Sequence, residues 1–145
     1  MSRYAVITNG PTHRKTTIDT SFILSDSALL DPELARTMPK EVTAYTGMDA
    51  LAHAIEAYTY KDAVEEPSRI SDTLALEAVR LLAGNIKRAY EDGSSMEARK
   101  QMMWGALLAG VALNIGSGET HAIGSMLAKY YGVCHGISVG IPLPY

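Results

Sequence analysis

The sequence predicts a mainly α-helical bundle preceded by a small β region. Two runs rich in β-branched residues, "RYAVIT" (3–8) and "RKTTID" (14–19), lie near the start of the chain. Apolar residues then recur at helical spacing over about 41–90. A later run, "MMWGALLAGVALNIG" (102–116), is apolar on nearly every side and too short to cross a bilayer comfortably. We therefore expect the helices to form the core and no segment to span a membrane.

The first forty residues predict short elements. "NGPTH" (9–13) lies between the two β-branched runs and has the composition of a turn, which predicts a hairpin. "FILS" (22–25) predicts a further short strand. "DPEL" (31–34) predicts a helical turn, with Asp31 as its N-cap and Pro32 in the first helical position.

Two long helices follow. The first is predicted over about 41–58, although Gly47 weakens its early part. The second is predicted to start near Pro67 and to end near Tyr90. Its apolar residues recur at the spacing of one helix face: Leu74, Ala78, Leu81, Leu82, Ile86 and Ala89.

The rest of the chain predicts two more helices. Ser94 and Glu97 have the spacing of a capping box at the start of the third helix, whose apolar character favours a central, buried position. A fourth helix is predicted over 119–131, with Gly132 as its C-cap. "CHG" (134–136) is predicted to be a junction.

Composition limits the class of protein. The 145 residues are 47% hydrophobic and carry a net charge of −3, with no basic face, so nucleic acid is excluded as the expected partner. Cys134 is the one cysteine, which excludes an internal disulfide and fits a reducing, cytoplasmic compartment. No signal peptide is visible. Neither end has a polar tail, and we expect both to be cuts through a longer protein.

Four polar residues in apolar helical segments suggest a metal site. Asp49 and His53 are four residues apart and project from one helix face. His121 lies near the start of a later helix, and His135 follows that helix. One carboxylate and three imidazoles suit Fe²⁺ or Zn²⁺ better than Ca²⁺ or Mg²⁺. Spacing leaves simpler interpretations open: a local hydrogen-bonded pair in the first helix, a helix cap at His121 and a turn residue at His135.

Three further positions have a functional and a structural interpretation. Glu56 could orient the ring of His53, but its position favours a solvated helix residue. Trp104 and the two methionines before it could line a substrate pocket, but a core role is favoured. His13 lies in a turn-rich segment, and we assign it no metal role.

Two segments, "TGMDALAHAIEAY" (46–58) and "THAIGSMLAKYYGVCHG" (120–136), resemble the iron-containing (group III) alcohol dehydrogenases. The connecting helices are similar to that family as well. The resemblance implies the C-terminal helical bundle of the dehydroquinate synthase-like and iron alcohol dehydrogenase type. It also implies two regions: a β-hairpin and strand remnant of the nucleotide-binding domain at 1–40, and a truncated helical metal-binding domain at 41–145.

The resemblance implies that Asp49, His53, His121 and His135 hold one divalent metal, Fe²⁺ or Zn²⁺. In this family the metal polarises the oxygen of a small alcohol or aldehyde, and hydride passes to or from NAD(P). The resemblance also implies an oxidoreductase. Because an incomplete bundle cannot bury every helix face, we expect the chain to self-associate as a homo-oligomer. No glycine-rich phosphate loop precedes the first helix, and the family's last helices are missing. We therefore expect the isolated chain to bind metal but to oxidise alcohols poorly or not at all.

Some positions depart from the family pattern. Ser125 stands where the family usually has a histidine near the substrate, so no catalytic residue is assigned beyond the metal ligands. Cys134 replaces a common proline, and Tyr145 stands where histidine is frequent. The alternative function is a non-catalytic helical module that acts by association and has a structural or empty metal site.

Overall fold

The computed structural model describes residues 2–11, 15–60, 69–115 and 118–145, and the protein is mainly α as predicted. His13 and the expected helix start at Pro67 lie outside the described residues. No helix in the described part of the chain has the length and apolar character needed to cross a membrane. In order, the elements are β1 Tyr4–Thr8, β2 Lys15–Asp19, α1 Lys40–Thr59, α2 Arg69–Glu91, α3 Met96–Ala112, α4 Glu119–Tyr131 and α5 His135–Gly140.

The predicted hairpin is confirmed. Strands β1 and β2 pair antiparallel, with Tyr4 opposite Asp19 and Thr8 opposite Lys15. The hairpin is largely exposed. It is tied to the bundle by the backbone N–H of Arg3, which donates to the side-chain oxygen of Asn114 at 2.9 Å. The β region therefore lies near the end of α3.

The segment between the hairpin and α1 forms two 3₁₀ turns. The strand predicted at 22–25 is wrong, because Ser21–Ile23 is a 3₁₀ turn. The Thr20 hydroxyl accepts a hydrogen bond from the backbone N–H of Phe22 and caps this turn. The helical turn predicted at "DPEL" is confirmed at Pro32–Ala35. The Asp31 carboxylate caps that turn by accepting from the N–H of Glu33 at 3.0 Å.

Helices α1, α2 and α3 form the core, as their periodicity predicts. The centre of the core is fully buried and consists mostly of alanine: Ala54, Ala78, Leu82 and Ala109. Alanine side chains are small, so the three helices approach one another closely. Helix α1 continues through Gly47 without a break.

Helix α3 was predicted to be buried on nearly all sides, but only one of its faces packs into the core. Gly105, Ala109 and Ala112 are buried, mostly against α1 and α2. Trp104 is 45% exposed, so its predicted core role is wrong. Met102 does pack against the core. The reason is geometric: within the described residues, α1 and α2 cover one face of α3 and leave Trp104 on the other.

The predicted cap of α3 at Ser94 is also wrong. The helix begins at Met96, and Ser95 is in the N-cap position. The backbone N–H and the hydroxyl of Ser94 both donate to the Asp92 carboxylate, at 3.1 and 2.6 Å. Asp92 therefore holds Ser94 in the preceding turn, where its hydroxyl is not available to the helix.

A buried arginine holds the start of α3. Arg99 is 3% exposed. Its guanidinium donates to the Thr43 hydroxyl at 2.6 Å, the Met38 carbonyl at 3.0 Å and the Gly93 carbonyl at 3.1 Å. One side chain therefore joins α3 to the start of α1 and to the loop before α3.

Helices α4 and α5 complete the described structure. Helix α4 has the predicted bounds and ends at Gly132 in the left-handed conformation (φ 64°). His135 was predicted to lie in a junction, but it is the first residue of the short helix α5. Helix α5 packs against both α1 and α4. A side chain at Gly136 would overlap the backbone carbonyl of Tyr45, so glycine is what lets α5 lie directly on α1.

Candidate metal centre

Helix α1 supplies the first two candidate ligands. Asp49 and His53 lie one turn apart on the same face. The His53 Nε2 is 3.8 Å from Asp49 Oδ2, and the two side chains are 24% and 29% exposed. Taken alone, this is the local pair that the spacing allows.

Helices α4 and α5 bring the other two imidazoles to the same carboxylate. The Nε2 atoms of His121 and His135 lie 3.3 and 3.4 Å from Asp49 Oδ1. The His53 and His121 rings stack with centroids 4.0 Å apart, and His135 meets His121 edge-on at 5.5 Å. Asp49 and His53 are therefore not an isolated pair, because three Nε2 atoms converge within 4 Å of one carboxylate.

The spacing of these atoms suits a divalent metal. Zinc binds imidazole nitrogen and carboxylate oxygen at about 2.0–2.2 Å in tetrahedral sites, which puts neighbouring ligand atoms roughly 3.3–3.5 Å apart. The separations from Asp49 Oδ1 to His121 and His135 match that value. Ligand atoms of Asp49, His53 and His121 all lie within 4.8 Å of one another. The residues present therefore fit a metal in spacing and in chemistry.

Two of the imidazoles are held neutral. Burial and the neighbouring His121 lower the pKa of His53 to about 4. Burial also lowers the pKa of His135, helped by Lys15 and opposed by Asp49. Because a metal binds the neutral form of imidazole, both rings are in the binding form at neutral pH.

His121 has the opposite character. Burial disfavours its charged form, but hydrogen bonds with Asp49 and Glu56 outweigh burial and raise the pKa of His121 to about 9. Its side chain is 11% exposed. Without a metal, His121 is therefore a cation held between two carboxylates, and a metal must compete with the proton on its Nε2.

Glu56 was expected to be solvated, and that prediction is wrong. The residue is 3% exposed. Its carboxylate accepts from the backbone N–H of His121 at 2.9 Å, from the Thr120 hydroxyl and from the His121 ring at Nδ1. It contacts His121, whereas the sequence suggested His53. Burial alone would raise the pKa of Glu56, but these hydrogen bonds lower it to about 2.

One sequence signal could have placed Glu56 at the site. It lies seven residues after Asp49 and three after His53, which puts it on the ligand-bearing face of α1. The partners that bury it, however, belong to α4. Helical spacing cannot identify those partners, because they are 64 and 65 residues away.

The three positions that depart from the family pattern differ in their location and in their exposure. Ser125 lies one turn after His121 on α4 and is half-buried. Cys134 is exposed at the start of α5, and Tyr145 is fully exposed.

Met102 and Met103 line a largely apolar cavity of about 320 Å³, but none of the four candidate ligands lines it.

Comparison with known proteins adds family information. Residues 43–145 match the profile of the Fe-containing alcohol dehydrogenase family, C-terminal. The chain is 38% identical over 146 residues to a 1,3-propanediol dehydrogenase of Citrobacter freundii. Among solved structures, it is similar to sulfoacetaldehyde reductase from Bifidobacterium kashiwanohense in complex with NAD⁺ (TM-score 0.89, 30% identity). It is also similar to an iron-containing alcohol dehydrogenase from Thermotoga maritima (TM-score 0.85, 32% identity).

The similarity covers this chain almost completely and the relatives only in part. The match includes 100% of the chain and 37% of the Citrobacter freundii protein. It includes 99% of the chain and 38% of each of the two solved structures. The chain therefore spans little more than a third of the length of these relatives.

Proposed function

This chain belongs to the iron-containing alcohol dehydrogenase family, and we propose that it carries the metal centre of such an enzyme. The proposed ligands are Asp49, His53, His121 and His135. The main support is the convergence of three imidazole Nε2 atoms within 4 Å of the Asp49 carboxylate. The donor set suits Fe²⁺ and Zn²⁺ alike.

A divalent metal held there supplies Lewis-acid polarisation of an alcohol or aldehyde oxygen for hydride transfer to or from NAD(P). Asp49 contributes the one negative charge of the ligand set, and the three imidazoles contribute neutral nitrogen atoms. A set with a single anion leaves a divalent site net positive, which favours a partly negative oxygen. The relatives named for 1,3-propanediol and sulfoacetaldehyde support a small alcohol or aldehyde as the substrate class.

We further propose that 41–145 form the metal-binding domain and that 1–40 are the end of a nucleotide-binding domain. The family match from residue 43 onward supports this division. The proposed enzyme is a cytoplasmic homo-oligomer. Because the sequence contains no glycine-rich phosphate loop, we propose that the 145 residues alone turn over alcohol poorly or not at all.

Metal content tests the proposed site. The chain is loaded anaerobically with Fe²⁺, or in air with Zn²⁺, and bound metal is measured after desalting. We expect about one ion per chain for a single four-ligand site, and a large loss in His53→Ala. His13→Ala is the matched control, because the sequence assigns it no metal role. Full metal content in His53→Ala would contradict the four-ligand site.

A turnover assay tests the predicted inactivity of the chain alone. Metal-loaded protein is mixed with NADH or NADPH and a short aldehyde, and oxidation of the nicotinamide is followed by absorbance. We expect a rate close to that of metal and cofactor without protein. Turnover in the range of ordinary enzymes, about 1–10³ s⁻¹, would show that the chain itself binds the nicotinamide.

Exposed apolar side chains favour a second candidate, a non-catalytic association module. Phe22, Leu29 and Leu34 are 96%, 97% and 82% exposed. Exposed apolar side chains mark an interaction site where they form one contiguous patch, and this candidate requires such a patch. Concentration-dependent size in light scattering, together with a melting temperature unaffected by chelator, would favour this candidate over the metal centre.

A further inference from the structure

We propose that Glu56 is a positioning residue that sets which ring nitrogen of His121 faces Asp49 and holds the start of α4 against α1. The inference rests on the proposed metal centre. It concerns a residue outside the ligand set, and it assigns that residue two roles through one carboxylate.

The carboxylate of Glu56 receives three donors from two consecutive residues of α4. One oxygen contacts the ring of His121 at Nδ1. The other accepts from the backbone N–H of His121 at 2.9 Å and from the Thr120 hydroxyl. The side chain is 5% exposed, so water does not compete strongly for these bonds.

This arrangement fixes the orientation of the His121 ring. An ionised carboxylate accepts hydrogen bonds and cannot donate, so the nitrogen that faces it carries the proton. In a metal-binding, neutral imidazole the proton is therefore at Nδ1, and the lone pair is at Nε2. That Nε2 is the atom 3.3 Å from Asp49 Oδ1. Glu56 thus presents the ligating nitrogen to the site.

The same carboxylate replaces a missing helix cap. Gly118 is the N-cap residue of α4 and makes no side-chain cap bond. Glu56 reaches across from α1 and accepts from the third N–H of the helix, where the helix dipole also favours a negative charge. A Cβ on Gly118 would lie 3.1–3.3 Å from three carbons of the Glu56 side chain, so glycine leaves room for this approach.

The contrast with the other imidazoles supports a specific role. The Nδ1 atoms of His53 and His135 are buried and have no hydrogen-bond partner within the described ranges. Within those ranges, His121 is therefore the candidate ligand whose outer nitrogen faces a carboxylate. Such outer partners orient metal-binding histidines and affect metal affinity.

Two substitutions at Glu56 separate position from charge. Glu56→Gln keeps the size of the side chain but places an amide N–H₂ where one acceptor was. Glu56→Asp keeps the charge but is one methylene shorter. We expect both to weaken Zn²⁺ binding by 10- to 100-fold, about the effect of losing an outer partner, in a competition titration of the 145-residue chain. Glu77→Gln, an exposed glutamate ion-paired with Arg80 on α2, is the matched control and should bind Zn²⁺ like wild type.

A spectroscopic readout reports the ring directly. In the Zn²⁺-loaded wild-type chain, long-range ¹H–¹⁵N spectra are expected to show His121 protonated at Nδ1 and bound through Nε2. In Glu56→Gln we expect this signature to change. Because the first measurement uses wild type, the proposal stays testable if the variants do not fold.

Several results would overturn the inference. Zn²⁺ bound through Nδ1 of His121 in wild type is one. A second is a folded Glu56→Gln variant that binds Zn²⁺ as tightly as wild type. A third is a loss of Zn²⁺ affinity in Glu56→Gln but not in Glu56→Asp, since that result would mean that only the charge of residue 56 matters. A wild-type chain that takes up no Zn²⁺ would overturn both the proposed metal centre and the role of Glu56. The other results would overturn only the role of Glu56, because the chain would still bind Zn²⁺.

Discussion

The Asp49 carboxylate organises the candidate site because its two oxygens serve different helices. Oδ1 faces His121 of α4 and His135 of α5, and Oδ2 faces His53 of α1 itself. Burial alone would raise the pKa of Asp49, but its hydrogen bond with His121 and the charges of the imidazoles lower it. The carboxylate therefore stays ionised while it is shared among three rings.

Asp49→Asn should be among the most harmful single changes for metal binding. The amide has nearly the same size, but it has no negative charge and brings N–H₂ next to imidazole nitrogens. Residues that only orient ligands contribute about 10- to 100-fold to metal affinity, so we expect a loss of at least about 100-fold here. Zn²⁺ titration with a competing chelator measures it. Asp26→Asn, on an exposed loop, is the control and should change nothing.

At the residue scale, the sequence predicted which side chains share a helix face, but it did not predict which residues of other helices contact them. The i,i+4 spacing put Asp49 and His53 on one face, which the structure confirms as geometry. Glu56 was predicted to be solvated, because the residues next to it in sequence do not indicate that Thr120 and His121 contact and bury it. Burial of a polar residue depends on partners that are distant in sequence, and a single helix does not encode them.

At the scale of elements, Arg99 joins the start of α3 to the rest of the bundle. Arg99→Met keeps most of the side-chain volume but leaves the Thr43 hydroxyl and two backbone carbonyls without their donor. We expect a loss of about 2–4 kcal/mol in the free energy of unfolding, measured by urea denaturation. Arg80→Met, which breaks an exposed ion pair with Glu77, should cost much less, because solvent screens that pair. Equal losses would contradict a special role for Arg99.

The contact between α5 and α1 can be tested with two glycines of the same helix. In Gly136→Ala, the new methyl would overlap the Tyr45 backbone, which cannot rotate away as a side chain can. We expect a destabilisation of about 1–3 kcal/mol and weaker Zn²⁺ binding, because His135 moves with α5. Gly140→Ala meets only Met48 side-chain atoms, at 3.6 Å or more, and should be neutral or slightly stabilising.

Helix bounds were predictable where apolar periodicity was long, and less so where local hydrogen bonds compete. The bounds of α1 and α4 agree closely with the sequence-based ones. The cap of α3 was misplaced because Asp92 captures Ser94. The start of helix α5 at His135 was not predicted, because "CHG" (134–136) was taken as a junction, and "HGISVG" has two glycines and weak helix propensity. Its packing against α1 and α4 overrides that propensity.

At the scale of the whole molecule, a bound metal would stabilise the fold, because it binds only the assembled site. With free Zn²⁺ at about 100 times its dissociation constant, the stabilisation is about 2.7 kcal/mol. For a chain of this length that corresponds to about 5–10 °C in melting temperature. Differential scanning calorimetry with and without EDTA measures the shift, and Asp49→Asn should show almost none. A wild-type melt that EDTA leaves unchanged would favour the association module.

The overall class of the molecule followed from sequence because apolar periodicity marks which faces are buried. The mutual placement of α1, α4 and α5 did not follow from it. That placement depends on close contacts such as Gly136 on Tyr45 and Glu56 on His121, which join residues far apart in the chain. Residue types and helical spacing suggested one metal site for the four candidate ligands but left simpler interpretations open, and the resemblance to a known family strengthened that suggestion.

The separation of the ligands along the chain has a kinetic consequence. Asp49 and His121 are 72 residues apart, so their encounter closes a long loop, whereas each helix needs only near neighbours to form. During refolding from urea, we expect helical circular dichroism to recover before the chain captures Zn²⁺ from a fluorescent chelator. The time course of Zn²⁺ capture would then report when α4 and α5 dock onto α1. We expect Glu56→Gln to capture Zn²⁺ later than wild type.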